Sequence, residues 1–158
     1  MNQKNRKQLV CILDYGAGNV GSVYNIIKHL NYKCIVSNDS AELERASHII
    51  LPGVGSFGAA MKNVKEKIPI TKLEKLIISK KKPFLGICVG MQVLADKGFE
   101  HSENDGLGWV KGSVNKLKAK KLPLPHVGWN EIKIKKESPL YKNFSGNNDF
   151  YFVHSYAF

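Results

Sequence analysis

The sequence predicts an α/β protein with a largely parallel central sheet and a more antiparallel section towards its C-terminus. Three observations carry that prediction. Short apolar runs alternate with segments of helical spacing over residues 9–95. Three glycine-rich loops, 14-DYGAGN-19, 52-PGVGSFG-58 and 86-GICVG-90, fall where such runs end. Open α/β sheets bind their ligands at those carboxyl ends. Beyond residue 106, glycine turns separate strand-like pieces with no long helical pattern between them.

Taken in order, 9-LVCIL-13 reads as a short buried strand. After Asn19, the apolar residues Val20, Val23, Ile26, Ile27 and Leu30 recur at helical spacing. A second strand is expected at 34-CIV-36, and a third at 48-HIIL-51, closed by Pro52 and Gly53. Residues 59–67 and 71–80 have helical patterns, parted by Pro69. A buried fourth strand, 83-PFLGI-87, leads into an apolar helix. The turns 106-GLGW-109 and 128-GWN-130 then set off strand-like 131-EIKIK-135 and 150-FYFVHSY-156.

The 158 residues are 43% hydrophobic and 23% charged, which fits one globular domain over 1–158. No apolar run approaches the roughly 18 residues of a membrane span. The start is basic and then apolar, but its apolar part is only 9-LVCIL-13. That is too short for a leader, so a polar tail entering the first strand of a cytoplasmic protein is expected. Ending on apolar FYFVHSYAF predicts a domain incomplete at its C-terminus. The net charge is +11, from 24 basic and 13 acidic residues. Only Arg6 and Arg45 are arginines, so the excess is lysine, clustered at 80-KKK-82, 116-KLKAKK-121 and 133-KIKK-136. Such a surface is solvated, or steers an anionic substrate or acidic partner. It lacks the arginine forks and interleaved aromatics of a nucleic-acid reader. The three cysteines match no metal or disulfide spacing. Cys11 and Cys34 lie in apolar runs and read as core thiols.

The stretch 14-DYGAGNVG-21 contains G-x-G-x-x-G between a strand and a helix, with Asp39 near the spacing of a dinucleotide fold's ribose acid. Against that reading, Asp14 would face a pyrophosphate. The plainer reading is a tight turn with Asn19 capping the helix. In 83-PFLGICVGMQVLA-95 a strand runs through G-I-C-V-G into a helix. This is the nucleophile-elbow pattern with Cys88 in the nucleophile's place. A helix N-terminus beside Cys88 favours the thiolate, and the Val89 N–H is suited to stabilise an oxyanion. The loop 52-PGVGSFG-58 offers further N–H donors at Val54 and Gly55.

Together these residues resemble the class I (triad-type) glutamine amidotransferases, with their flavodoxin-like three-layer fold. The resemblance is narrowest to the glutaminase subunit of imidazole glycerol phosphate synthase. It rests on 14-DYGAGN-19, 51-LPGVGSFGAAM-61, 85-LGICVGMQVL-94, 106-GLG-108, 125-PHVGWN-130 and 151-YFVHSY-156. The resemblance implies glutamine hydrolysis through a thioester on Cys88, with Val54, Gly55 and Val89 as the oxyanion region. It places Gln92, Ser155 and Tyr156 on the glutamine, and Asn19, Ser22, Trp129 and Asn130 on a cyclase partner. That partner is a (β/α)8 barrel, joined as a heterodimer and fed ammonia through a tunnel. No cofactor, metal, nucleic acid or membrane is implied. The stretch 18-GNVGSVYNIIK-28 also resembles paralogues that feed amidination of surface-polysaccharide sugars.

The family's general base and its acid partner come from a later F-H-P-E segment, which these 158 residues do not contain. Of the five histidines, His29 and His48 read as structural or surface residues, and His101 as solvated. His126 is placed near the partner, and His154 beside the glutamine rather than as the base. The expectation is therefore low turnover from this chain, as a fragment, as a non-catalytic subunit, or with a base borrowed from another chain.

Overall fold

The computed structural model describes residues 8–119, 122–141 and 149–158. The basic tail with Arg6, and Lys120 and Lys121 of the third loop's lysine cluster, lie outside the described residues. The chain divides into two compact units, Met1–Asn115 with Phe158, and Lys116–Ala157.

The first unit is built on four parallel strands: β1 (Leu9–Ile12), β2 (Lys33–Val36), β3 (His48–Gly53) and β4 (Phe84–Cys88). Their order is β2-β1-β3-β4, the flavodoxin-like arrangement. The register runs Val10↔His48 and Ile12↔Ile50 between β1 and β3, and ends with Gly53↔Cys88 between β3 and β4. Both faces of β1 are buried, as its continuous apolar run requires. On one face Val10, Ile12 and Ile50 pack against Val20, Val23, Tyr24 and Ile27 of helix α1 (Val20–His29). Cys11 and Leu13 point the other way and have no exposed surface. Each such side chain contributes about 1.5–3 kcal/mol.

Helix α2 (Ser40–Arg45) went unread in the sequence. Asp39 accepts from the N–H groups of Ala41 and Glu42, so it is a helix cap, not a ribose-binding acid. At the far end of α2, the Lys82 ammonium donates to the carbonyls of Leu43, Glu44 and Ala46. Helices α3 (Phe57–Lys67) and α4 (Ile70–Glu74) are parted at Pro69, as expected, and α4 runs on into a π-helical turn, Lys75–Ser79.

Two expectations need correcting. β4 was read as a buried strand, but Leu85 is 41% and Ile87 38% exposed. Among the described residues β4 is an edge strand, so one of its faces and its outer edge lack a neighbour. The apolar helix after Cys88 is also short. Helix α5 spans only Val89–Gln92. Leu94 and Ala95 N–H close tighter turns onto Met91 and Gln92, and Asp96 N–H turns away to the Gly112 carbonyl. There the chain enters a small mixed sheet, in which β5 (Lys97–Gly98) pairs antiparallel with β6 (Asn104–Asp105) and parallel with β7 (Ser113–Lys116).

In the second unit, β8 (His126–Glu131) and β9 (Asp149–His154) form an antiparallel pair, followed by β10 (Tyr156–Ala157). The strand foreseen at 131–135 is displaced to 126–131, because the pairing partner and not local alternation fixes the span. No helix among the described residues is long and apolar enough to cross a membrane.

Candidate active site

The site is assembled at the carboxyl ends of β1, β3 and β4. Cys88 closes β4 and is the residue before α5, with φ 55° and ψ −121°. A side chain rarely tolerates positive φ, and such a residue holds about 1–3 kcal/mol of strain. The strain is imposed by close approach. A Cβ on Gly86 would stand 2.6 Å from the Gly90 carbonyl oxygen, and one on Gly90 would stand 2.0 Å from that of Leu51. Only glycine at both positions lets strand and helix meet this tightly. The outcome is an exposed, free thiol at the sheet's head, next to the buried Val89 at the start of α5. A helix of one turn adds little dipole, so the elbow's geometry rather than its helix defines the site.

The 52–58 loop lies beside Cys88 through the Gly53↔Cys88 pairing. Val54 is 53% exposed and Gly55 has φ 99°. The Val54 N–H donates to the Ala17 carbonyl at 3.3 Å, so it faces the 14–19 turn. The carboxylate of Glu100, a residue the sequence reading passed over, accepts from Phe57 N–H at 2.8 Å. It caps α3 directly behind the loop, where Ser56 provides no side-chain cap. The signal was absent because Glu100 lies 43 residues away in sequence.

The 14–19 turn satisfies its own donors. The Asp14 carboxylate accepts from Gly16 N–H at 2.8 Å, and Asn38 clamps the Asp14 backbone from both sides. A phosphate would meet an anion and a spent donor there, so the dinucleotide reading has no site. Asn19 caps α1 by accepting from Ser22 N–H, and both residues are exposed. Tyr15, between them and Asp14, is 1% exposed, and its hydroxyl finds no hydrogen-bond partner among the described residues. Burial, and then the nearby Cys88, push its pKa up to about 12. Gln92, half-buried, completes α5.

Among the histidines of this unit, His48 opens β3, five residues before Gly53. At about 3.3 Å per residue that is some 16 Å along the strand from the partner of Cys88. His101, its side chain 80% exposed, lies 3.9 Å from the Glu100 carboxylate.

The remaining candidates belong to the second unit. Trp129 is 73% exposed and meets Tyr151 edge-on, with ring centroids 5.5 Å apart. Asn130 accepts from Glu131 N–H. The Ser155 carbonyl accepts from Leu117 N–H at 2.8 Å. His154 Nδ1 lies 3.2 Å from the Tyr156 carbonyl oxygen, and its Nε2 lies 3.2 Å from His126 Nδ1. The carbonyl can only accept, so the arrangement assigns the Nδ1 proton to His154. Both ring nitrogens of His154 are thus engaged. Among the described residues, no group of three or more His, Cys, Asp or Glu is placed to hold a metal.

The sequence profile of the class-I glutamine amidotransferases matches residues 11–158. The chain belongs to that family. Among curated glutamine amidotransferase relatives, it is 41% identical to "Imidazole glycerol phosphate synthase subunit HisH 1" of Campylobacter jejuni, over 94% of this chain and 74% of the relative. It is 45% identical to "Imidazole glycerol phosphate synthase subunit HisH" of Methanocaldococcus jannaschii, over 94% of this chain and 73% of the relative. A crystal structure of a glutamine amidotransferase superposes with a TM-score of 0.61 at 19% identity, covering 77% of this chain and 62% of that one. A glutamine amidotransferase from Thermotoga maritima superposes with a TM-score of 0.59 at 18% identity, covering 96% of this chain and 62% of that one. The chain therefore spans about three quarters of these curated relatives and less than two thirds of these solved amidotransferases.

Proposed function

We propose that this chain is the glutaminase subunit of an imidazole glycerol phosphate synthase, serving histidine biosynthesis. The observation that carries the chemistry is the strained, exposed Cys88 between Gly86 and Gly90. The 41–45% identity to HisH subunits supports the pathway. In the proposed reaction the Cys88 sulfur attacks the side-chain carboxamide carbon of glutamine. The C–N bond breaks, the nitrogen takes up the proton that the Cys88 thiol gave up and leaves as ammonia, and a thioester remains. Water then cleaves the thioester, releasing glutamate and restoring the thiol. Val89 N–H, at the start of α5, is the oxyanion donor most directly tied to the nucleophile. Val54 contributes only once its bond to Ala17 opens. Gln92, on α5, contacts the glutamine. Ammonia passes to a (β/α)8-barrel cyclase, which docks as a heterodimer against Asn19 and Ser22.

The test is labelling by a glutamine-like diazoketone. Selective alkylation of Cys88, blocked by excess glutamine, is the expected result, and it does not depend on turnover. Modification that free glutamine leaves unprotected would sink the glutaminase reading.

A further inference from the structure

A buried phenol hydroxyl ordinarily has a partner, and that of Tyr15 has none among the described residues. Phenylalanine would fill the same volume with no polar atom to desolvate. The place of the hydroxyl gives the unpaired group a use. A Cβ on Gly53 would stand 2.4 Å from Tyr15 Oη and 2.5 Å from Gly90 N. The hydroxyl, the head of the 52–58 loop and the first turn of α5 therefore share one small space, and Gly53 is the residue paired with Cys88. With its proton loss pushed up to about 12, the phenol remains a donor at any pH where a cysteine ionises. Among the described residues no acceptor fixes its direction, so the O–H is able to switch between its two orientations in the plane of the ring.

We propose that Tyr15 is a positioning residue of the cysteine elbow. Its ring sets the spacing of Gly53 and Gly90, and its reorientable hydroxyl dipole turns towards Cys88 as that thiol takes on negative charge. The hydroxyl itself is buried, so its dipole is screened less than one standing in solvent. The proposal rests on Cys88 as the nucleophile of the reading above, and not on glutamine as its substrate.

The test is alkylation of Cys88 in the full chain by iodoacetamide, which needs no glutamine pocket, with Cys11 and Cys34 followed separately by mass spectrometry. In Tyr15→Phe the rate at Cys88 should fall about three- to tenfold, less than the full worth of a hydrogen bond to a charged group because a better-stabilised thiolate is also a weaker nucleophile. The rate–pH profile should move to higher pH, while the thermal midpoint holds or rises. An unchanged rate and profile overturns the proposal. If Tyr15→Phe lowers the thermal midpoint, 3,5-difluorotyrosine at position 15 takes its place. That side chain keeps the shape and is the stronger donor, so it should raise the Cys88 rate; no rise leaves only a packing role and overturns the proposal. If the diazoketone fails to label Cys88 while these responses hold, the glutaminase reading falls and this inference stands.

Discussion

At the scale of single residues, Cys88 holds backbone strain at the position of the proposed nucleophile. Its φ of 55° suits glycine, yet the proposed chemistry requires a sulfur there. Two variants separate these demands. Cys88→Ala removes the thiol and keeps the strained Cβ, whereas Cys88→Gly removes both. Relief of about 1–3 kcal/mol of strain outweighs the roughly 0.4–1 kcal/mol that glycine adds to unfolded-chain entropy. Cys88→Gly should therefore be more stable than Cys88→Ala by about 1 kcal/mol, read from urea midpoints. Equal midpoints would show that the elbow is unstrained. This residue was legible in the sequence because its two glycines flank it locally. Tyr15 was not, because its burial depends on Gly53 and Gly90, which only the folded sheet brings to it.

At the scale of elements, the helices are fastened by charges that local patterns under-report. Glu44, on α2, is bonded to Lys72 of α4 and to Lys80 beyond the π-helical turn. The Lys72 and Lys80 hydrogen bonds hold its carboxyl near 2, below the ordinary 4.5. A lowered carboxyl pKa contributes stability above the ordinary value and loses it as pH falls through the folded one. The thermal midpoint should therefore fall between pH 4.5 and about 2 more steeply in the native chain than in Glu44→Gln. Because the group is well exposed, the difference should be small and should shrink at high salt. A salt-independent difference would mean that Glu44 acts through packing. Helix α2 itself was readable in principle, since Asp39 and Glu42 have the spacing of a capping box. Asp39 also stands near the spacing of a dinucleotide fold's ribose acid, so the local pattern there fits two readings. The bounds of β8 were not readable, because its span follows β9, whose first residue lies 18 positions beyond its end.

At the scale of the whole molecule, a charge of +11 and an apolar sheet edge oppose each other. Among the described residues, β4 presents Leu85 and Ile87 at an edge with no strand beyond it, and Met91, 40% exposed, follows. Such an edge invites strand-to-strand association, and like charge resists it. Salt screens the second effect and leaves the first. The chain should stay dispersed at low ionic strength and self-associate as salt rises, and Leu85→Lys should suppress that association. Light scattering across a salt series checks this; association of Leu85→Lys equal to that of the native chain would exonerate the edge.

The sequence alone determined the parallel α/β order, the cysteine elbow and the family. Each of these is written in short-range patterns: apolar runs, glycines two residues either side of a cysteine, and linear motifs. Tertiary structure decided which donors are free and which are spent. Asp14 consumes the Gly16 N–H, Ala17 holds Val54, and the Tyr15 hydroxyl has no partner among the described residues. Hydrogen bonds between loops and burial between strands depend on distances in space, and spacing along the chain does not record them.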